Sequence, residues 1–335
     1  MRSLLIIALI VFANLAKSQD IHYSQFLSSP INLNPSLAGS FNNDYRLVMN
    51  HRNQWQSVTV PFRTFSAAFD TRITSLPISK SFIGAGLQIN SDRAGDSRFG
   101  TQQVKLVLSF HRILKSDSSM IISGGIAGTY NYHSIDYNSL YYGSQYDGHQ
   151  YNPSLPNNEI FGNDRLSYFD FETGLMFYHV INEVKMRYGI SFNHLNKPLI
   201  SFEGNEQVEL YRKFNFFAQS EFNISEQMKA FPSILFLRQG QFQEIMIGGL
   251  LRQRLNHIAF NAFYFGGWLR WKDALVLKIG MDYFNLNLGI SYDINISKLV
   301  VASNSLGGLE LSLIYIFGKR KKYEIPVHMN CPVFM

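Results

Sequence analysis

The sequence predicts an all-β fold: a transmembrane antiparallel β-barrel of about fourteen strands, of the outer-membrane type. Three observations predict it. Apolar and polar residues alternate with a period of two. The alternating stretches run about ten residues, the length a tilted strand needs to cross a bilayer. The connections sort by parity, short on one side and mostly longer on the other, as in outer-membrane barrels.

Residues 1–18 read as a processing signal. Arg2 supplies a positive start, Leu4 to Leu15 is apolar apart from Asn14, and Ala16-Lys17-Ser18 offers small residues around a cleavage site. The apolar run is too short for a spanning helix, so the mature chain is expected to be exported. No cysteine lies near the cut, which argues against a lipoprotein. The one cysteine, Cys331, excludes an internal disulfide. Four of the basic residues, Lys319 to Lys322, open a tail at 319–335. Together with Arg2 and Lys17 they equal the whole net charge of +6, so nucleic acid is not an expected partner.

Residues 19–44 read as a periplasmic lead-in, and 45–318 as the barrel. Strands are expected to begin near Arg46, Arg63, Phe82, Gln103, Ser119, Tyr168, Glu183, Arg212, Met228, Phe242, His257, Lys272, Phe284 and Gly308. The clearest is "FNLNLGISYDINI" from Phe284, where Leu286, Leu288, Ile290, Tyr292, Ile294 and Ile296 alternate with polar residues or glycine. Val184 to Phe192 and Leu275 to Tyr283 alternate as cleanly. Others are less regular: Val107 and Phe217 fall on the polar side. The final strand, "GLELSLIYIF", ends in aromatics that suit an interfacial girdle. Long connections are expected at 91–101, about 133–166 and 196–210, and tight ones at 181–183 and 225–227.

Lipid cannot hydrogen-bond a backbone, so every strand edge must be paired and the sheet must close. The apolar face then points outward. Lys105, Lys185, Arg187, Glu221, Lys278, Asp282, Asp293 and Glu310 point inward, with both signs present, so ion pairs across the lumen are expected over a selective pore.

Catalytic and metal signatures are missing: no GxSxG, HExxH or P-loop occurs, and the histidines are scattered. No cofactor or metal is expected; Asp136, Asp147 and Asp164 match no calcium-loop spacing. The glycine pairs at 84–86, 124–125, 248–249 and 266–267 mark bends or crowding in strands, not phosphate binding. The tyrosine-rich stretch containing Tyr141, Tyr142 and Tyr146 reads either as an adaptable recognition surface or as a disordered loop.

"QDIHYSQF" at 19–26, "NPSLAG" at 34–39 and "HRNQW" at 51–55 resemble the start of the PorP/SprF family, outer-membrane barrels of the type IX secretion system in Bacteroidetes. The resemblance continues through "GISFNHLNKP" (189–198), "FPSILFLR" (231–238), "GGWLRWKDA" (266–274), "SYDINIS" (291–297) and "GGLELSLIY" (307–315). His51 and Leu269 depart from it, standing where an aromatic is common. The resemblance implies a non-enzymatic accessory of secretion and gliding, retaining large surface adhesins through their C-terminal sorting domains. Its expected partners are such an adhesin, other type IX components of the periplasmic ring or translocon, and outer-membrane lipid. "NPSLAG" is expected to turn, with Pro35 fixing its dihedral and Gly39 permitting positive φ. Arg52, Asn53, Gln54 and Trp55 are placed in the first external loop, where they shape the barrel mouth or meet a client. Trp268 and Arg270 are further mouth candidates. A passive channel for small solutes is the alternative, and a membrane-embedded hydrolase a third possibility.

Overall fold

The computed structural model describes residues 20–56, 60–74, 80–203, 208–297 and 300–318. The expected signal at 1–18, the basic tail at 319–335 and Cys331 lie outside the described residues.

Fourteen antiparallel strands close into one barrel. They are β1 (Tyr45–Gln54), β2 (Phe62–Ile73), β3 (Ser81–Ala94), β4 (Phe99–Ile113), β5 (Met120–Ser134), β6 (Arg165–Ile181), β7 (Val184–Asn193), β8 (Lys213–Asn223), β9 (Met228–Gln239), β10 (Phe242–Arg254), β11 (Phe260–Arg270), β12 (Ala274–Tyr283), β13 (Leu286–Asn295) and β14 (Leu306–Phe317). Each neighbours the next in sequence, and β1 pairs with β14 to close the ring, from Tyr45 opposite Phe317 to Gln54 opposite Gly308. No sheet edge is left, which is what a hydrocarbon surrounding demands.

The alternation does what the sequence implies. On β12, Leu275, Leu277 and Ile279 are exposed, while Val276, Lys278 and Asp282 are buried. The outward apolar side chains form the lipid face, with Leu106, Ile126, Phe169 and Ile279 among its most exposed members. Tyr45 rings lie near Phe69 and Phe317, and Tyr315 stacks on Phe317, an aromatic belt at the end where β1 starts and β14 finishes. The start of β1, the end of β14 and the short turns share this end, so it is the inner, periplasmic one by the barrel rule.

Two loop expectations need correction. The stretch 91–101 is mostly strand, because β3 and β4 continue in register to Ala94 and Phe99 and leave only 95–98 to turn. Among the outer connections, 240–241 and 271–273 are also tight. The long ones, 135–164 and 194–212, follow strands β5 and β7. Strands on that flank exceed the bilayer requirement, with β6 reaching 17 residues, so the barrel wall stands taller there.

The N-terminal segment was expected as a periplasmic lead-in, but residues 20–41 run through the lumen. Nearly every residue from Tyr23 to Phe41 is buried. Its local structure is three single turns: 3₁₀ at Phe26–Ser28, α at Pro30–Leu33 and 3₁₀ at Pro35–Leu37. Pro30 and Pro35 each sit at the start of a turn, where a missing N–H is harmless. Asn34 caps the last turn, its Oδ1 accepting from Ser36 N at 2.9 Å.

An apolar segment needs apolar neighbours, and the wall supplies them where its inward pattern breaks. Phe26, Leu27, Leu33 and Leu37 cluster with Met176, Phe217, Leu235, Met246, Leu250, Trp268 and Val276. Ile31, Ala38 and Phe41 cluster with Val48, Ala68, Val107, Ala127, Ile314 and Ile316. Val107 and Phe217, irregular by alternation alone, face inward because the lumen holds a hydrophobic core.

Candidate functional site

The plug is gripped at two heights, each time by its main chain. At the inner end Arg46 and Asp70, opposite each other on β1 and β2, form a two-point pair with Nε–Oδ1 at 2.9 Å and Nη2–Oδ2 at 2.7 Å. Asp70 Oδ2 also accepts from Gly39 N at 2.8 Å, and Arg46 Nη2 donates to Leu37 O at 3.0 Å. One carboxylate takes a plug N–H and one guanidinium takes a plug carbonyl, so both buried charges have neutral partners as well as each other.

The outer clasp repeats the design with more charge. Arg52 and Glu310 face each other across the β1–β14 seam, with Arg52 Nε 3.0 Å from Glu310 Oε1. Glu310 accepts two successive plug amides, Ser24 N at 2.7 Å and Gln25 N at 2.9 Å. Arg52 Nη1 donates to His22 O at 2.8 Å, and its Nη2 lies 3.1 Å from Asp293 Oδ2. Asp293 also accepts from Ser24 Oγ at 2.7 Å and pairs with Arg270 at 3.1 Å. Arg270 in turn donates to Ser24 Oγ. Arg52 is 1% exposed with residues 22–25 in place, so it is not part of an outer surface.

A third contact ties the segment's first described residue to a loop. His194, the residue after β7, stands between two carboxylates: Nδ1 is 2.7 Å from Asp170 and Nε2 is 2.8 Å from Asp20. Burial alone would lower the His194 pKa, but Asp20 and Asp170 outweigh it and raise it to about 10. Burial would likewise raise the Asp20 pKa, yet His194 and Lys213 hold it below the ordinary carboxylate range. The bridge is therefore a charged pair.

At the inner clasp and above it the wall thins to let the plug backbone in. A Cβ on Gly84 would collide with Ala38 O, and one on Gly174 with Asn34 Oδ1. Gly39 takes φ of 68°, the positive value expected of it. Ala38 O, brought to the wall, accepts from Ser109 Oγ at 2.7 Å and His111 Nε2 at 2.8 Å.

The expected mouth residues divide. His51 to Gln54 belong to β1 and not to an external loop, because Glu310 and Asp293 need a cation inside the wall and strand pairing carries Arg52 to them. Gln54 pairs with Phe62 and Gly308 at the end of β1. Asn53 is half-buried and donates to Gln56. Trp55 follows the strand, half-buried, with φ of 64°. Trp268 also turns inward: its ring lies 5.9 Å from that of Phe26, and Nε1 donates to Ser233 Oγ at 2.8 Å. Arg270 joins the outer clasp. The signal that would have placed Arg52, Trp268 and Arg270 is the alternation of their own strands, which puts each on the inward face.

Tyr141, Tyr142 and Tyr146 lie in the 135–164 loop. It carries 3₁₀ turns at Tyr137–Ser139 and Gly143–Gln145, with Tyr137 stacked 4.0 Å from Phe161. Asp136 and Asp147 accept local backbone N–H groups, and Asp164 faces Arg165. Among the described residues no group of three acidic, histidine or cysteine side chains is placed to hold a metal. Gly162 abuts Phe202, and Asn163 N donates to Phe202 O at 3.0 Å, so this loop and 194–212 touch. Above that junction Tyr141 is 75% and Ile160 98% exposed.

Comparison with known proteins adds the family. The description "Type IX secretion system membrane protein PorP/SprF" fits residues 15–315. No curated protein matches the chain. Among solved structures it is similar to the Ralstonia pickettii toluene transporter TbuX, at 8% identity and a TM-score of 0.49 over 86% of this chain and 92% of that one. It is similar to the monoaromatic hydrocarbon channel CymD at 10% identity and 0.49, covering 88% and 94%. A Pseudomonas aeruginosa FadL homologue gives 8% identity and 0.47, covering 85% and 93%. The family match spans the plug, both clasps and all fourteen strands except the end of the last. The chain belongs to the PorP/SprF family of type IX secretion system membrane proteins.

Proposed function

We propose that this outer-membrane component of type IX secretion is a non-enzymatic anchor, which supports secretion of a large adhesin and holds it at the cell surface by its C-terminal sorting domain. One observation carries this reading: residues 20–41 fill the lumen and hydrogen-bond to its wall, so the outer loops are the surface left for a partner. A conduit for small solutes needs an open lumen, and the plug speaks against that alternative. The joined loops 135–164 and 194–212 offer what a docking surface requires: rigid aromatic anchors rimmed by polar residues. Tyr141, Tyr146 and Ile160 are its candidate contacts. The inner end is the side open to periplasmic components of the machinery.

The test is affinity purification of the tagged protein from membranes, followed by identification of its companions. The anchor reading expects a large secreted protein with a conserved C-terminal domain, lost when Tyr141, Tyr146 and Ile160 are replaced together. Recovery of the barrel without such a client from secreting cells contradicts it.

A further inference from the structure

We propose that Arg52, Arg270, Asp293 and Glu310 form a receptor for a peptide main-chain turn, occupied in cis by residues 22–25 and able to exchange that segment for a hydroxyl-bearing turn of a client chain. The client's identity rests on the preceding reading; the receptor itself does not.

The geometry is that of a peptide-binding site. Glu310 takes two successive backbone amides, at 2.7 and 2.9 Å, and Arg52 takes a backbone carbonyl at 2.8 Å. These contacts ask for an unsubstituted main chain, not for particular side chains. Two plug side chains are read there: the Ser24 hydroxyl meets both Asp293 and Arg270, and the Gln25 amide donates to Glu310 O at 3.2 Å and accepts from Ser312 Oγ at 2.7 Å. A turn with a hydroxyl residue followed by an amide-bearing residue that keeps its own N–H satisfies the same donors and acceptors. Proline at the second position does not.

The plug is also anchored unevenly. Residues 26–41 pack into the two apolar clusters and press against wall glycines. Residues 20–25 are held mainly by polar contacts: the clasp, the His194 bridge, and Tyr23 Oη with Ser66 Oγ at 2.5 Å. Polar contacts can be traded for equivalent ones at little net cost, whereas apolar burial is lost outright when the segment leaves. Exchange therefore stops at Phe26, and the inner half stays seated.

The test uses full-length protein in detergent micelles and a fluorescent synthetic peptide of residues 20–28. In Gln25→Pro the tethered segment loses one of its two amides to Glu310 and the side-chain bonds to Glu310 O and Ser312, while the wall keeps its own residues. The peptide is expected to bind this variant at least about tenfold tighter than it binds wild type, because a short tether competes at roughly millimolar effective concentration. A peptide with proline at the Gln25 position is expected not to bind. Equal binding of both peptides, or no binding to a variant that keeps its heat-modifiable barrel band, overturns the proposal. Hydrogen exchange on wild type covers the case where Gln25→Pro does not fold. Saturating peptide should speed exchange at Ser24 and Gln25 and leave Leu33 and Gly39 unchanged; no change at Ser24 and Gln25 overturns it. No client is present in these assays. A failure here thus counts against the receptor, and loss of adhesin capture counts against the anchor.

Discussion

Asn34 Nδ2 donates to Ile190 O at 2.8 Å and to Leu175 O at 3.1 Å, so one plug side chain bridges the backbones of β7 and β6. A side chain reaches strand carbonyls only where the wall has none of its own, and Gly174 and Gly189 provide that gap. Plug and barrel are one folded unit.

Filling that gap should be costly. Gly174→Val puts carbon where Asn34 Oδ1 stands. Overpacking of this kind costs about 1–3 kcal/mol, with the displaced amide adding to it. The urea midpoint of refolded protein should fall accordingly. The same change at Gly128, where only the outward ring of Phe171 is near, should fall less.

Inward and outward apolar positions should respond differently. Phe217 is fully buried against the plug, so Phe217→Ala should lose about 3–5 kcal/mol. Ile279 faces lipid in the middle of β12. Ile279→Ala should be mild, because acyl chains replace the lost contacts, but Ile279→Lys should cost about 2–4 kcal/mol. Equilibrium unfolding in lipid vesicles reads all three.

Arg52→Ala should act on folding. It leaves Glu310 and Asp293 short of a buried cation, and breaking such a pair costs about 3–5 kcal/mol. Asn53→Ala, one residue away, removes an exposed hydrogen bond to Gln56 and no buried charge, and should stay within about 0.5 kcal/mol. The temperature at which the compact band disappears on unheated gels distinguishes them.

The His194 bridge has a calculable pH window. Its pKa is raised from 6.5 to about 10 on folding, so its stabilisation is fully present below the unfolded value and fades as pH rises through the folded one. The stability gap between wild type and His194→Gln should be flat from about pH 5 to 6.5, then shrink as pH climbs toward 10. A gap that grew with pH would reverse the sign and refute the bridge.

At the outer surface, replacing Tyr141, Tyr146 and Ile160 should release the adhesin into the medium while the barrel stays intact. Anchor residues of an interface commonly carry about 2 kcal/mol or more each. Immunoblots of cells and medium, with a heat-modifiability control, measure both effects.

The barrel was legible because a strand that divides lipid from lumen must alternate, and β12, β13 and β7 do so almost without fault. Observed starts lie within a few residues of those expected, from Tyr45 beside Arg46 to Leu306 beside Gly308. The plug was not legible. Residues 20–41 have no period, since each turn packs against a different strand, and a segment without period reads as a lead-in. Its imprint lay elsewhere: in Val107 and Phe217 on the wrong face, and in Gly84, Gly125 and Gly174 on inward positions where side chains were due. The surroundings of Arg52 are hidden in the sequence for a related reason. Its partners Asp293 and Glu310 are distant in sequence and meet it only when the barrel closes.

Conductance across a planar lipid bilayer tests the filled lumen most directly. Full-length protein should insert without opening steady channels, and removing residues that seat the plug, as in Leu33→Asp with Leu37→Asp, should produce current if the barrel survives. A wild-type protein that opens stable, porin-sized channels would contradict the plugged barrel and the anchor function drawn from it.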